Sequence, residues 1–451
     1  MTALQILNLP NRYPLLTTTL LVAACMGLAG CRPQPGSENR VQNTEPAGGP
    51  GDTSHSAAPA PDDPKAIEQL KQAGFALDTN DAGAVVRVSV DRSEDTADLL
   101  ALLGGLPQVA ELSLAGGGVG DAGFEAIATL QNLKRLDLTE SGISDEALKS
   151  IGKLSQLEVL ALAQTSVSDA GLQHLTGLQK LRALDLRRTN ITDAGLKPIG
   201  KLASLGDLQL ERAKVSAEGL AELKSLSRLK SLNLNTTGVG DDTLAVLGQI
   251  PSLESIQLDS ASITDAGMPH VAKLENLSRL RIRYCDVTGE GIEHLKGLGH
   301  LQRLELRDTS VDDKGLAIIS GLPSVTFLEL NECRLISNEG IAELAKLTGL
   351  QTLELWETKL DDAGLAALSS LVNLQSLNLE ATNISNEAVE PLMNFKKLVT
   401  LNIAGTRLDD EAVAQLKTLP NLKSVNVRNS GISYSGIDEW NQAVEGIEIL
   451  E

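Results

Sequence analysis

Residues 181–204 read LRALDLRRTNITDAGLKPIGKLAS, and the spacing of their aliphatic side chains decides the fold. Counted from Leu181, the aliphatic residues fall at positions 1, 4, 6, 11, 16, 19 and 22. Positions 4 and 6 alternate as in a strand, whereas 16, 19 and 22 recur at helical spacing. One copy is thus a strand, a turn and a short helix. The same beat returns every 24 residues from Val85, with further starts at 109, 133, 157, 181, 205, 229, 253, 277, 301, 325, 350, 374, 398 and 422. One extra residue, Leu335 or Ile336, lengthens the copy that starts at 325. Position 12 is usually Ser, Thr or Asp, as at Thr192, Ser168 and Asp312, where a side-chain oxygen is expected to cap the following helix.

No copy covers its own apolar face, so the fifteen copies must stack into one continuous core. Parallel strands about 4.8 Å apart then make a sheet roughly 70 Å long. The fold class is α/β, a solenoid over residues 85–446 with an N-terminal cap at 65–84 and a C-terminal cap at 436–451. Residues 65–74 (KAIEQLKQAG) predict an amphipathic helix, and residues 75–81 a strand paired with the first repeat strand. Residues 436–444 (GIDEWNQAV) predict an altered last helix, with Trp440 laid over exposed core. The pattern L-x-x-L-x-L-x-x-T-x-I-x-D-x-G-L resembles the leucine-rich repeat family, in particular bacterial members and the cysteine-containing subtype. That resemblance implies a curved right-handed coil with the sheet on its concave side, short helices on its convex side, and a role in binding proteins on the sheet. Thr in place of Cys or Asn at position 9, and the period of 24, depart from the subtype.

Residues 1–31 hold no acidic residue and one basic residue, Arg12, before the apolar run LLTTTLLVAACMGL at 15–28. That run is shorter than the roughly 18 to 20 residues of a membrane-spanning helix, and it reads as an export signal. The string Leu28-Ala29-Gly30-Cys31 resembles the lipobox of bacterial lipoproteins. The resemblance implies removal of residues 1–30 as a signal peptide, lipidation of Cys31, and an exported, membrane-anchored protein on the periplasmic or cell-surface side. Residues 31–64 are rich in Pro and Gly with almost no large apolar side chain. They cannot bury enough surface to offset chain entropy, and predict a disordered tether.

The chain has 39 basic and 59 acidic residues, a formal charge of -20 that disfavours a nucleic-acid binder. No phosphate-cradling G-x-x-x-x-G-K-[ST] sequence occurs. His174, His270, His294 and His300 fall in or after the convex helices without a third repeating ligand. Cys285 and Cys333 share position 9 two copies apart, about 10 Å by strand spacing, and are expected to be free, buried thiols. The expectation is a protein that is not an enzyme and has no cofactor and no metal site.

In each strand positions 3, 5 and 7 face outward on the sheet, with 8 at its edge. Repeats seven, eight, thirteen and fourteen place mostly small polar residues there. Repeats nine to twelve differ: they present Arg279, Arg281, Arg283 and Tyr284, then Arg303, Glu305 and Arg307, then Phe327 and Glu329, then Glu354 and Trp356. Arg, Trp and Tyr dominate binding hot spots. One reading makes these residues a partner-binding surface, the arginines holding partner carboxylates and Trp356 and Phe327 supplying apolar anchors. The other makes them a ladder of exposed cross-strand ion pairs, each contributing about 0–1 kcal/mol. Arg187, Arg188 and Arg212 form a smaller second candidate. The function expected is a monomeric, lipid-anchored protein that binds another protein on its concave sheet at the bacterial cell envelope. The alternatives are a structural spacer without a dedicated ligand, or a glycan-binding module.

Overall fold

The computed structural model of the protein describes residues 60–451. The expected signal peptide, the lipidation site Cys31 and the tether as far as residue 59 lie outside the described residues. The repeat pattern appears position for position. In the fifth copy Leu184, Leu186, Ile191, Leu196, Ile199 and Leu202 are all buried, and one apolar cluster runs from Leu70 to Trp440.

Among the described residues seventeen strands form one open sheet. The strand Ala76–Thr79 pairs antiparallel with the first repeat strand, Val85–Asp91. From there the strands run parallel in chain order, each Leu at position 4 beside the Leu at position 4 of the next copy, as with Leu136, Leu160 and Leu184. At the N-terminal end the helix Pro64–Gln72 packs Leu70 onto the core. At the other end the helix Tyr434–Ala443 buries Trp440 completely, and a strand not foreseen in the sequence, Glu448–Leu450, extends the ladder beyond Ser424–Asn426. The extra residue is Leu335: it is 58 % exposed, whereas Ile336 keeps the buried place of position 11.

Position 8 is where the chain leaves the sheet. Every described residue other than glycine with positive φ lies there, from Glu140 to Asn429, and Gly116 and Gly405 fill the same place. Left-handed backbone costs an L-residue about 1–2 kcal/mol. The return is that the N–H of position 8 donates to the carbonyl of position 7 in the next copy, as Arg188 does to Glu211 at 2.8 Å. Position 9 then closes the turn, its hydroxyl donating to the carbonyl of position 6, as Thr189 does to Leu186 at 2.6 Å.

The turn into the helix carries a second inter-repeat contact that the sequence reading missed. Asp169, at position 13, accepts from the backbone N–H of Thr192 (2.8 Å) and from its hydroxyl (2.5 Å), one copy on. The same clasp joins Asp121 to Ser144, Asp145 to Ser168, Asp193 to Ser216, Asp241 to Thr264, Asp265 to Thr288, Asp313 to Ser337, Asp362 to Ser385 and Asp410 to Ser433. Thr192 also caps its own helix weakly, accepting from Ala194 N–H at 3.4 Å, and Asp312 accepts from Gly315 N–H at 3.1 Å. Ser168 departs from expectation: its hydroxyl donates to Asp145 and caps no helix N–H. The clasp explains the glycine of Asp-Ala-Gly-Leu. A Cβ on Gly195 would sit 2.5 Å from Asp169 Oδ1, so glycine lets the carboxylate of the preceding copy approach closely there, whereas Ala147 and Ala388 hold the same place against the clasps of Asp121 and Asp362.

The exceptions obey the same rule. Where position 12 is itself an aspartate, at Asp312, Asp361 and Asp409, the preceding copy offers Gly289, Asn338 and Asn386 instead of a second carboxylate. The Asn338 amide donates to Asp361 and that of Asn386 to Asp409, both at 2.7 Å. Where position 12 is Gly120 or Gly240, the partner position holds Ala97 or Ala217. Asn338→Asp, which opposes two carboxylates, is expected to cost about 1–3 kcal/mol. Adding Asp361→Ser, which restores the common pair, should recover most of that loss in thermal unfolding.

Candidate partner-binding surface on the concave sheet

Much of the polarity of the outward columns is structural. The amide of position 7 lacks a ladder acceptor, and a side chain at position 5 supplies one. Asp137 accepts from Thr139 N–H at 3.0 Å, Asp185 from Arg187 at 3.0 Å, Asn233 from Asn235 at 2.9 Å, Asn378 from Glu380 at 3.0 Å and Asn402 from Ala404 at 3.1 Å. Buried or half-buried backbone donors are rarely left unpaired, so these residues are bound to recur.

Repeats nine to twelve are built differently. The structure brings together Arg281, Arg283, Arg303, Glu305 and Glu329, and adds Asp259 from repeat eight. Arg281 pairs with Asp259 and lies 3.7 Å from Glu305; Arg283 pairs with Glu305 and, at 2.6 Å, with Glu329; Arg303 pairs with Glu305. This chain of charges spans four adjacent strands. It is not an exposed ladder: the Glu305 and Glu329 side chains are 7 % and 6 % exposed. The guanidiniums fold over the carboxylates and shield them from water.

A second group lies at the edge. Arg307 donates to Glu332 from Nε (2.8 Å) and Nη2 (2.5 Å), with its guanidinium carbon 4.4 Å from the centre of the Trp356 ring and 5.3 Å from that of Tyr284. Arg303 likewise stacks on Phe327 at 3.4 Å. Tyr284 is 42 % exposed. Arg279 is exposed and has no carboxylate within ion-pair distance among the described residues. Glu354 makes no ion pair with the arginines among the described residues and accepts from Asn378 at 2.8 Å. In the smaller candidate Arg187 pairs with Asp185 and Arg188 with Glu211, while Arg212 has no such partner among the described residues.

Burial governs the protonation of the set. It pushes the Glu329 carboxyl up, with Arg283 pulling it partly back, and it raises Glu354 against the hydrogen bonds of Asn378 and Asn331. Burial alone would lower Arg281, but Asp259 and the neighbouring glutamates hold it above its ordinary value. Cys285 and Cys333 are free and buried, donate to the carbonyls of Leu258 (3.3 Å) and Leu306 (3.2 Å), and are pushed by burial up to about 11. Among the described residues no group of three or more His, Cys, Asp or Glu is placed to hold a metal ion, and no helix is long and apolar enough to cross a membrane.

One feature of the whole face went unread in the sequence. Twelve arginines, Arg87, Arg92, Arg135, Arg187, Arg188, Arg212, Arg279, Arg281, Arg283, Arg303, Arg307 and Arg428, occupy positions 3, 5, 7 or 8. Only Arg182, Arg228, Arg334 and Arg407 of the other described arginines lie elsewhere, and no described lysine lies in those columns. The signal was available once the columns were aligned and the two basic residues were counted separately. Guanidinium and ammonium differ in just the properties an interface uses: a planar fork of donors, weak hydration and stacking on rings.

Residues 124–334 match the model of a leucine-rich repeat region. No curated protein matches the sequence. Among solved structures, a leucine-rich repeat protein of Leptospira interrogans superposes with a TM-score of 0.51 at 20 % identity, covering 77 % of this chain and 91 % of that one. An internalin of Listeria monocytogenes is similar at 20 % identity over 86 % of this chain and 93 % of its own, with a TM-score of 0.49. Family model and Leptospira structure agree with the geometry, and the fold is that of a leucine-rich repeat solenoid.

Removing the shared carboxylate of the network leaves Arg303 without an ion-pair partner among the described residues. Glu305→Ala, which takes their shared carboxylate from Arg281, Arg283 and Arg303 but leaves Arg281 its Asp259 and Arg283 its Glu329, is expected to cost about 1–3 kcal/mol. Removal of the exposed Glu146, paired to Lys149, should cost no more than about 1 kcal/mol in the same denaturation series.

Proposed function

Starting from a leucine-rich repeat solenoid, we propose that this chain is a lipid-anchored binding protein, without catalytic activity of its own, that captures another protein on repeats nine to twelve at the bacterial cell envelope. The observation that carries the reading is the sorting of arginine onto the concave columns and of lysine away from them. Interfaces are enriched in Arg, Tyr and Trp and depleted in Lys, and solenoids bind along their extended concave surface. A merely solvated face has no reason to exclude the more soluble cation.

Internal pairing does not consume the arginines. Arg307 spends Nε and Nη2 on Glu332, and its Nη1 makes no hydrogen bond to a described residue. Held by carboxylates and stacked on rings, these side chains have already lost their rotamer freedom, so a partner need not pay to order them. Exposed Tyr284, with Trp356 and Phe327 behind stacked guanidiniums, offers the apolar contact. Arg279 supplies a charge free for a partner carboxylate. The closed network of Arg281, Arg283 and Glu305 favours the spacer alternative, in which these contacts serve the sheet alone.

Two experiments test the reading separately. A photoreactive residue at 279 in intact cells should crosslink to one discrete protein, and the product should fall at least tenfold when Tyr284→Ala and Trp356→Ala are combined. Equal crosslinking from convex position 296 would defeat the assignment. For the anchor, supported by Leu28-Ala29-Gly30-Cys31, Cys31→Ser is expected to abolish labelling with an alkyne fatty acid and to release the protein from the membrane fraction.

A further inference from the structure

Repeat four is the one copy among the fifteen whose three outward strand positions are all apolar: Val159, Ala161 and Ala163. Repeat three carries Arg135, Asp137 and Thr139 there, so the face drops from that strand to this one. The drop opens a cavity of about 270 Å³ toward repeats two and three, lined among others by Arg135, Val159, Ala161 and the core leucines Leu112 and Leu136. Small residues at position 5, Ser113 and Ala161, let the cavity reach down to the strands at Leu112 and Leu136, whose side chains turn into the core. The volume lies below the roughly 300–1,000 Å³ of small-molecule sites and suits a single side chain.

The charges at its rim are unequally committed. Glu111 is held by Arg87 through Nε (2.9 Å) and Nη2 (2.8 Å), and Asp137 accepts the N–H of Thr139. Arg135 lies between them, paired by strand register with Glu111 and Val159, yet among the described residues its guanidinium has no hydrogen bond and no carboxylate within ion-pair distance. An exposed cation without an acceptor, next to a patch of apolar surface without a cover, is complementary to one kind of group.

We propose that this cavity is a second docking point, which takes an aliphatic side chain next to a carboxylate on an exposed segment of a partner protein. The aliphatic group covers Val159 and Ala161 against the strand floor at Leu112 and Leu136, and the carboxylate pairs with Arg135. The site is five strands from repeat nine, and the inference does not rest on the surface there.

The test uses the full chain and the blocked dipeptide acetyl-Leu-Asp-amide, titrated by ligand-observed NMR. Saturable binding is expected, weakened at least fivefold by Arg135→Gln, by Ala161→Leu, which fills the cavity, and by exchanging the probe for its Leu-Asn, Gly-Asp or Leu-Lys analogue. Trp356→Ala should leave binding unchanged, and circular dichroism should show each variant folded, since positions 135 and 161 lie on the open face. Absence of saturable binding, equal binding of the Leu-Asn or Leu-Lys probe, or insensitivity to either cavity substitution overturns the proposal. Loss with Trp356→Ala alone would also overturn it, by moving the probe to the other surface.

Discussion

The leucines of one repeat have nowhere to go except against the leucines of the next. Positions 4 and 6 are buried in copy after copy, and a single apolar cluster joins the first cap helix to Trp440. A three-residue strand and a helix of one or two turns are not stable alone, so every local feature is conditional on its neighbour. The insertion shows how strict the condition is. A slip of one residue would turn an entire copy inside out, and the structure instead ejects Leu335 into solvent while Ile336 stays in place.

Hydrophobic stacking does not by itself decide which residue faces which, and the polar clasp between position 13 and position 12 adds that register. It joins an aspartate to a hydroxyl and its own N–H, in most copies beside a glycine that lets the carboxylate approach and in two beside Ala147 or Ala388. The pairs of Asn338 with Asp361 and Asn386 with Asp409 show that hydrogen-bond matching, not the identity of either residue, is what the turn requires. Opposed carboxylates would each lose a donor and repel, so the exceptions come in matched pairs along the chain.

On the concave face the same economy of partners separates scaffold from candidate site. Asn and Asp at position 5 serve the backbone, and their presence needs no ligand. The arginines of repeats nine to twelve do not serve the backbone. They tie four strands together through Glu305 and Glu329, stack on Phe327 and Trp356, and leave Arg279 and Arg135 uncommitted at two separate places. Desolvated charge networks contribute little net stability over apolar packing of the same volume. Their cost is the kind tolerated where a rigid, directional surface is of use.

The 24-residue beat determined the solenoid, the parallel sheet, the buried columns and the outward direction of positions 3, 5 and 7, because one apolar face per copy admits a single way of stacking. It also singled out repeats nine to twelve, since arginines and aromatic residues collected in columns are visible in one dimension. The terminal strand Glu448–Leu450 was not legible, for it is three residues long and no further copy follows to reveal its period. Nor was the pairing of Arg283 with Glu329, which are 46 residues apart and meet only because two strand spacings bring position 7 of one copy within reach of position 5 of another. The cavity beside Arg135 belongs to the same class: its shape depends on how far each neighbouring side chain reaches across the sheet, a distance that exists only once the copies are stacked.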